Sequence, residues 1–325
     1  MPDTPENQEE YPQATSSKPG CGFPQMKLVA LFCLATGALL RHAQSHRKVG
    51  ELTLFRGMWD ALNSGDVVLA DRGFCNLADY YRLAQRNIDS VMRLHQRRTK
   101  GLSRIKQLGT GDQLIQWHKS KPTPKGLSKE QWAAIPDTLT VRHITFVPNI
   151  AGFRTKKITV ATTLLDHHQF PASAFAELYR RRWLAELFLR DIKTTLGMDI
   201  LRCKTPEMIQ KELTMHLIAY NLIRLTMVQA AAKTKCDVER ISFKGALQAV
   251  RQWAPYISHA VIEQREQLYQ SMLTAIRRVP IPNRPNRTEP RVKKRRSKNY
   301  QLMTKPRHEM KEAPHRNNYT KENRA

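Results

Sequence analysis

The stretch from Tyr179 to Gly197 reads YRRRWLAELFLRDIKTTLG and carries several side chains able to handle phosphate. Tyr179, Arg182, Glu186 and Lys193 stand at i, i+3, i+7 and i+14. On a continuous helix, at about 100° per residue, they fall within an arc of about 60°. Arg190 falls on the same side. A hydroxyl, two guanidinium groups, an ammonium and one carboxylate would then share a face. Trp183, Leu184, Leu187 and Phe188 carry the apolar surface beside it. A solvated helix more often pairs Glu with Lys four residues apart. One acid among bases suits a site that holds a metal ion and phosphate together. On spacing alone, a salt-bridged surface helix stays open as the other reading.

A second acid stands at the end of DVVLAD, Asp66 to Asp71, a compact apolar run that reads as a buried strand. The RGF after it turns the chain, and Asn76 can cap a helix reaching about Arg86. Around these two segments the pattern predicts strands at 26–46 meeting at Thr36-Gly37 as a hairpin, a short helix from Glu51 to Leu62, and a strand in IDSVMRLH. Residues 1–25 are polar and rich in Pro, and an extended loop is expected. Residues 97–166 hold β-rich patches, DQLIQWHK, TVRHITFV and KKITVATTLL, which read as a β-rich insertion. From Ser173 the pattern is helical over 173–196, 205–232 and 242–253, with another helix near 258–276. The chain thus divides into four parts: 1–96, 97–166, 167–276 and 277–325.

The chain of 325 residues carries 54 Lys and Arg against 28 Asp and Glu, a net charge of +26. Such an excess favours a polyanionic partner, because each phosphate neutralised releases a condensed counterion. Residues 277–325 hold 16 Lys and Arg against 4 Glu, a net +12, with Lys293, Lys294, Arg295 and Arg296 the densest run. This tail is expected to be disordered alone and to order on DNA. The five cysteines are scattered, with no C-x-x-C pair, and read as reduced thiols of a cytosolic protein. Met26 to Leu40 resembles the apolar part of a signal peptide. It is internal, shorter than the roughly 20 residues of a membrane span, and broken by Gly37, so no membrane association is expected.

Taken with its spacing, Tyr179-x-x-Arg182-x-x-x-Glu186-x-x-x-x-x-x-Lys193 resembles the Y-R-E-K motif of the insertion-sequence-4-type DDE transposases. VVLADRGF resembles the strand that carries this family's second catalytic Asp. PDTPENQ near the start and EPRVKKRRSKNYQLMTKPR near the end also look like family segments, so the resemblance runs from about Met1 to Arg307. It implies an α/β, ribonuclease-H-like mixed sheet flanked by helices, with the β-rich insertion between the second Asp and the Glu. It implies chemistry on DNA by a two-metal site of Mg²⁺ or Mn²⁺. Asp71 and Glu186 map onto two of the three metal-holding catalytic acids. Tyr179, Arg182 and Lys193 map onto positions that grip phosphates at the transposon end. DNA is the implied partner, with a homodimer on DNA, in a bacterial nucleoid-associated setting.

The family's first Asp ends an early core strand that should come just before the PDTPENQ segment. The chain opens on that segment, so the first core strand and its Asp are expected to be missing, as in a reading frame whose start is set at an internal Met. Asp3 has no strand before it and matches a later family Asp. The metal site would then be incomplete and the transposase inactive as it stands. The alternative is a non-catalytic DNA-binding remnant. A ribosomal or other RNA-binding protein would explain the charge but not the spacing.

Overall fold

The computed structural model describes residues 1–95, 102–147, 157–233, 236–278, 280–281, 303, 305–306 and 309. The basic run at Lys293, Lys294, Arg295 and Arg296 lies outside them. A six-stranded mixed sheet, flanked by helices, forms the centre, in the order β3-β4-β8-β7-β6-β5. It comprises β3 (Val67–Ala70), β4 (Asp89–Arg93), β5 (Ser103–Gly109), β6 (Asp112–His118), β7 (Thr138–Phe146) and β8 (Ile158–Thr162). β3 and β4 are parallel, joined through the helix α3 (Leu77–Ala84), and the other pairings are antiparallel. The strands that reach in from 97–166 thus extend the same sheet that holds β3. This mixed α/β arrangement is compatible with a ribonuclease-H-like transposase fold.

Alternation along the strands builds two apolar layers, because successive side chains point to opposite faces. Met92, Val141 and Ala161 join a core with Phe55, Trp59, Leu77, Tyr80 and Leu83. This face is covered by α2 (Glu51–Arg56), α3 and the short α4 (Lys129–Ala133). Val91, Ile144 and Val160 point the other way, onto Phe175 and Tyr179 of α5 (Ala172–Arg181).

A separate two-stranded hairpin, β1 (Met26–Phe32) and β2 (Leu39–His46), packs on a helical layer. That layer holds α6 (Trp183–Arg190), α7 (Pro206–Ala232), α8 (Phe243–His259) and α9 (Ile262–Arg277). The long α7 clasps the hairpin turn. Tyr220 donates to the Gly37 carbonyl at 2.6 Å, and the buried Arg224 donates to the Thr36 carbonyl through Nε at 3.0 Å and Nη2 at 2.6 Å. Gly37 has φ +73°, and a Cβ there would come within 1.8 Å of the Arg224 guanidinium. Only glycine serves at that position. Among the described residues the outer edges of β1 and of β3 carry no strand partner.

Three expectations need correction. Residues 1–25 are not all extended, because Thr4 caps a helix, α1 (Pro5–Glu10), by accepting from the Asn7 N–H, with Pro5 in the first turn. Buried Asn7 and Tyr11 then pin α1 to the start of α7. The helix expected to end at 253 continues through Pro255 to His259. The Arg251 carbonyl freed by the proline lies on an exposed stretch, open to solvent. The single helix expected over 173–196 changes pitch twice, and both changes fall on the candidate site.

Candidate active site

Asp71 is the first residue after β3, at the carboxyl end of the parallel pair. It is exposed, and its Oδ1 accepts the Arg72 N–H at 2.7 Å, which fixes the carboxylate at the mouth of the turn. The cap of the next helix is Asn76, which accepts the Asp79 N–H at 2.9 Å, so Asp71 is not spent on capping. Ala70 stands beside Met92 in the parallel register, which sets Arg93 next to Asp71 at the strand ends. Open α/β sheets place ligands at such carboxyl ends.

The second acid comes from the helical segment. At Arg182 the backbone tightens: its N–H donates to Tyr179 at 3.1 Å, and its carbonyl accepts from Ala185 at 3.1 Å, both spans of three residues. Side chains three apart eclipse in such a turn. Accordingly the Arg182 guanidinium lies over the Tyr179 ring, 5.7 Å from its centroid. One turn on, Arg182 Nη2 donates to Glu186 Oε1 at 2.8 Å. Past α6 the helix widens over Asp191–Thr195 into a π turn, with Leu196 N–H donating to the Asp191 carbonyl at 3.0 Å.

Electrostatics connect the two acids through Arg182. Tyr179 is buried, which pushes its hydroxyl up to about 12; nearby Asp71 adds to the shift, and Arg182 and Arg93 oppose it. Burial alone would lower the Arg182 pKa. The bond to Glu186, with Tyr179 and Asp71 close by, outweighs that and holds it above its ordinary value. The Arg182 Nε–H is buried and has no hydrogen-bond partner among the described residues. A buried donor left unpaired costs free energy, on the order of 1–3 kcal/mol, until an acceptor arrives.

Asp71, Tyr179, Arg182 and Glu186 therefore form one constellation, joined by Arg93, which the sequence pattern did not single out. Its only signal is its place at the end of the strand candidate after Asp71. Arg190 lies elsewhere in its contacts: it approaches Asp191 at 3.7 Å, and Asp191 is a buried acid whose pKa burial raises against the pull of Arg190 and Arg224. Lys193 is exposed on the π turn and makes no ion pair among the described residues. Asp3 is tied to Gln8, whose Nε2 donates to its Oδ1 at 2.6 Å.

The donor set fits a hard divalent cation in part. Asp71 and Glu186 each offer an exposed carboxylate, the oxygen chemistry that Mg²⁺ takes together with substrate phosphate. Among the described residues no three or more His, Cys, Asp or Glu side chains gather as a metal cage.

The site thus sets one acid at a strand end of a mixed α/β sheet and a second on a helix, interleaved with bases. The chain matches the model of the transposase DDE domain over residues 2–222, a span that takes in both acids and the whole Tyr179-to-Lys193 motif. It belongs to that family. Over 308 residues, 92% of this chain and 66% of the relative, it is 28% identical to the transposase InsG for insertion sequence element IS4 of Escherichia coli (strain K12). Over 222 residues it is 24% identical to the Synechocystis sp. (strain ATCC 27184 / PCC 6803 / Kazusa) protein named "Putative transposase for insertion sequence element IS4SA", covering 66% of this chain and 56% of that one. The chain thus spans less than two thirds of the length of both relatives.

Proposed function

We propose that the chain is the ribonuclease-H-like catalytic part of a DNA transposase, acting on phosphodiester bonds at transposon ends. The observation that carries this reading is Arg182: bonded to Glu186, within the field of Asp71, and left with an unpaired buried N–H. A phosphate oxygen of DNA is the acceptor that this donor lacks, and a charge-assisted bond to it is a strong one. Tyr179 keeps its proton at neutral pH, so it presents a neutral hydroxyl beside the guanidinium. Arg93 and Lys193 neutralise neighbouring phosphates. Asp71 and Glu186 are the residues that would hold Mg²⁺ or Mn²⁺. When bound, the metal would activate the attacking water or 3′-hydroxyl and stabilise the leaving oxygen.

In this reading 1–96 and 167–276 are the two halves of the core, 97–166 is the insertion, and 277–325 is a DNA-binding tail in which Lys293, Lys294, Arg295 and Arg296 supply phosphate contacts. Among the described residues no helix is long and apolar enough to cross a membrane. The chain's net charge of +26 supports a setting on the nucleoid.

A second reading, DNA binding without chemistry, is favoured by the lack of a three-residue acid cluster among the described residues. One experiment separates the two. The 325-residue polypeptide is incubated with labelled transposon-end DNA and Mg²⁺ or Mn²⁺, alone and joined to an upstream segment that ends in a strand-borne Asp. The expectation is salt-sensitive binding in both, cleavage only in the extended form, and loss of that cleavage in Glu186→Gln. Cleavage that survives Glu186→Gln would overturn the assignment of the acid.

A further inference from the structure

An open cavity of about 490 Å³ lies where α2, the short helical turn Trp59–Ala61 and the end of α3 meet. It sits at the other end of the parallel pair from Asp71. The helix α3 returns the chain to the start of β3, where the Asn87 carbonyl accepts the Gly65 N–H at 2.7 Å. From Asp66 to Asp71 is a strand length of about 16 Å. Arg56, Arg82 and Arg86 line the cavity with one acid, Asp60. That acid is already bonded to Arg41 Nη2 at 2.9 Å. Arg56 is neutralised by buried Asp79 at 2.7 Å and donates through Nη1 to the Gly126 carbonyl at 3.1 Å. Arg82 and Arg86 make no ion pair and no side-chain hydrogen bond among the described residues. The Arg82 guanidinium lies over the Trp59 ring, 4.9 Å from its centroid. Stacking of this kind holds the guanidinium in place and leaves its N–H edge free for a two-pronged bond to an anion.

Two features of the cavity wall add to this. Trp59 is only 5% exposed, and its Nε1–H has no hydrogen-bond partner among the described residues. Gly57 has an ordinary right-handed backbone, φ −70° and ψ −6°. A Cβ there would meet only the Leu54 and Thr53 carbonyls of its own helix, at 3.4 and 3.8 Å. Neither backbone nor packing requires glycine, which costs conformational entropy. Its bare Cα leaves space in the cavity. The dipole at the end of α3 accounts for part of the charge on Arg82 and Arg86. Yet two like charges four residues apart repel, and the dipole explains neither the glycine nor the unpaired indole. We infer that the cavity is a second anion site, which takes a phosphate group between Arg82 and Arg86 in the space that Gly57 leaves. The phosphate is carried either by a DNA strand crossing this face or by a small free phosphate, and the recognising chemistry is the same for both. The inference is independent of the chemistry proposed for Asp71, Arg182 and Glu186.

The test is modification of arginines by phenylglyoxal, read residue by residue by mass spectrometry. It uses the full 325-residue chain, freed of nucleic acid and held at constant ionic strength. The probes are inorganic phosphate at millimolar concentration, duplex DNA at micromolar concentration, and chloride as the control. Arg82 and Arg86 should react at least threefold more slowly with one of the two phosphate probes than in chloride. Protection by duplex alone assigns a DNA phosphate, and protection by inorganic phosphate assigns a free one. Gly57→Leu keeps both arginines but fills the cavity and should remove the protection, whereas Gly57→Ala should keep it. Arg86 is exposed, so Arg86→Gln should fold and still lose the protection of Arg82. Circular dichroism checks the fold of each variant. Arg182→Gln should leave the protection unchanged, which separates this site from the one proposed for catalysis. Equal reactivity in all three solutions would overturn the inference. So would protection that survives Gly57→Leu, or protection lost in Arg182→Gln, where DNA held at the other site would be the cause.

Discussion

Two arginines, Arg142 on β7 and Arg182 at the start of α6, sit among similar neighbours and are treated in opposite ways. Arg142 is fully buried, and its Nε and Nη2 donate to Asp112 Oδ1 and Oδ2 at 2.8 and 2.6 Å. Its Nη1 donates to the Phe170 carbonyl at 2.7 Å, and its plane lies 5.3 Å from the Phe175 ring centroid. Arg182 also lies over an aromatic ring and has one carboxylate partner, yet among the described residues its buried Nε–H has no acceptor. The first arginine is saturated and holds β6, β7 and the entry to α5 together. The second is left short of one bond, at the place where two acids face solvent. Stability resides in the sheet, and under the proposed function the unspent donor on the site helix is what would take up a phosphate.

The sharpest way to break this contrast is at Asp112. Asp112→Ala leaves Arg142 buried and unpaired and should cost about 3–5 kcal/mol, read as a lower urea midpoint at unchanged slope. Asp112→Leu combined with Arg142→Met should recover most of that loss, because an apolar pair carries no stranded charge. A cost below about 1 kcal/mol for Asp112→Ala would show that the pair is not structural.

Next in size is the pH response of His143, on the same strand. It is buried and accepts the Trp117 N–H at 2.8 Å, and burial lowers its pKa from 6.5 to about 4. The folded state favours the neutral ring. Its contribution is therefore fully present above pH 6.5 and is lost as pH falls toward 4, in total on the order of 3 kcal/mol. Thermal melts of His143→Gln, which keeps an acceptor but does not titrate, should show a flatter decline across that window. Parallel curves for both proteins would remove His143 as the cause.

Smaller stability effects are expected at the site. Arg182→Gln breaks a half-exposed pair and should change stability by no more than about 1 kcal/mol. Its DNA binding should weaken, and the slope against log salt should fall by about 1, as for one lost phosphate contact. A large drop in stability with an unchanged salt slope would place Arg182 in the same class as Arg142. Tyr179→Phe is the mildest: stability within about 1 kcal/mol of the parent, with a modest loss of DNA affinity. Fluorescence anisotropy with labelled duplex measures both binding effects.

Much of this contrast is legible in the sequence, and the illegible part has a physical cause. The strand ending at Asp71 and the cap at Asn76 announce themselves through an apolar run and a turn, which are local signals. Tyr179, Arg182 and Glu186 are legible as one face because they lie before the helix widens. An ideal 100° step places Arg190 with them, but its contact is with the acid next to it in sequence. Arg93 escapes the sequence pattern because parallel pairing of β3 with β4 joins residues 22 positions apart, which no periodicity reports. The saturated Arg142 escapes it for a related reason: its acid is 30 residues away on a neighbouring strand.

The π turn at Asp191–Thr195 holds more residues per turn than an α-helix uses. It works as a phase adjuster between two surfaces with different demands. Phe188 and Ile192 stay seated in the core while Lys193 remains in solvent, and the chain still leaves in the right direction for Met198 and Leu201 to be buried ahead of α7. Removing a single residue here, Thr194 for instance, would let the segment close as ordinary helix with the downstream chain nearly in place, because five residues at the wider pitch turn the chain about as far as four at the ordinary one. Met198 and Leu201 would keep their seats in the core ahead of α7. The spare residue is slack in the thread, taken up next to the site so that the packing on either side of it is kept.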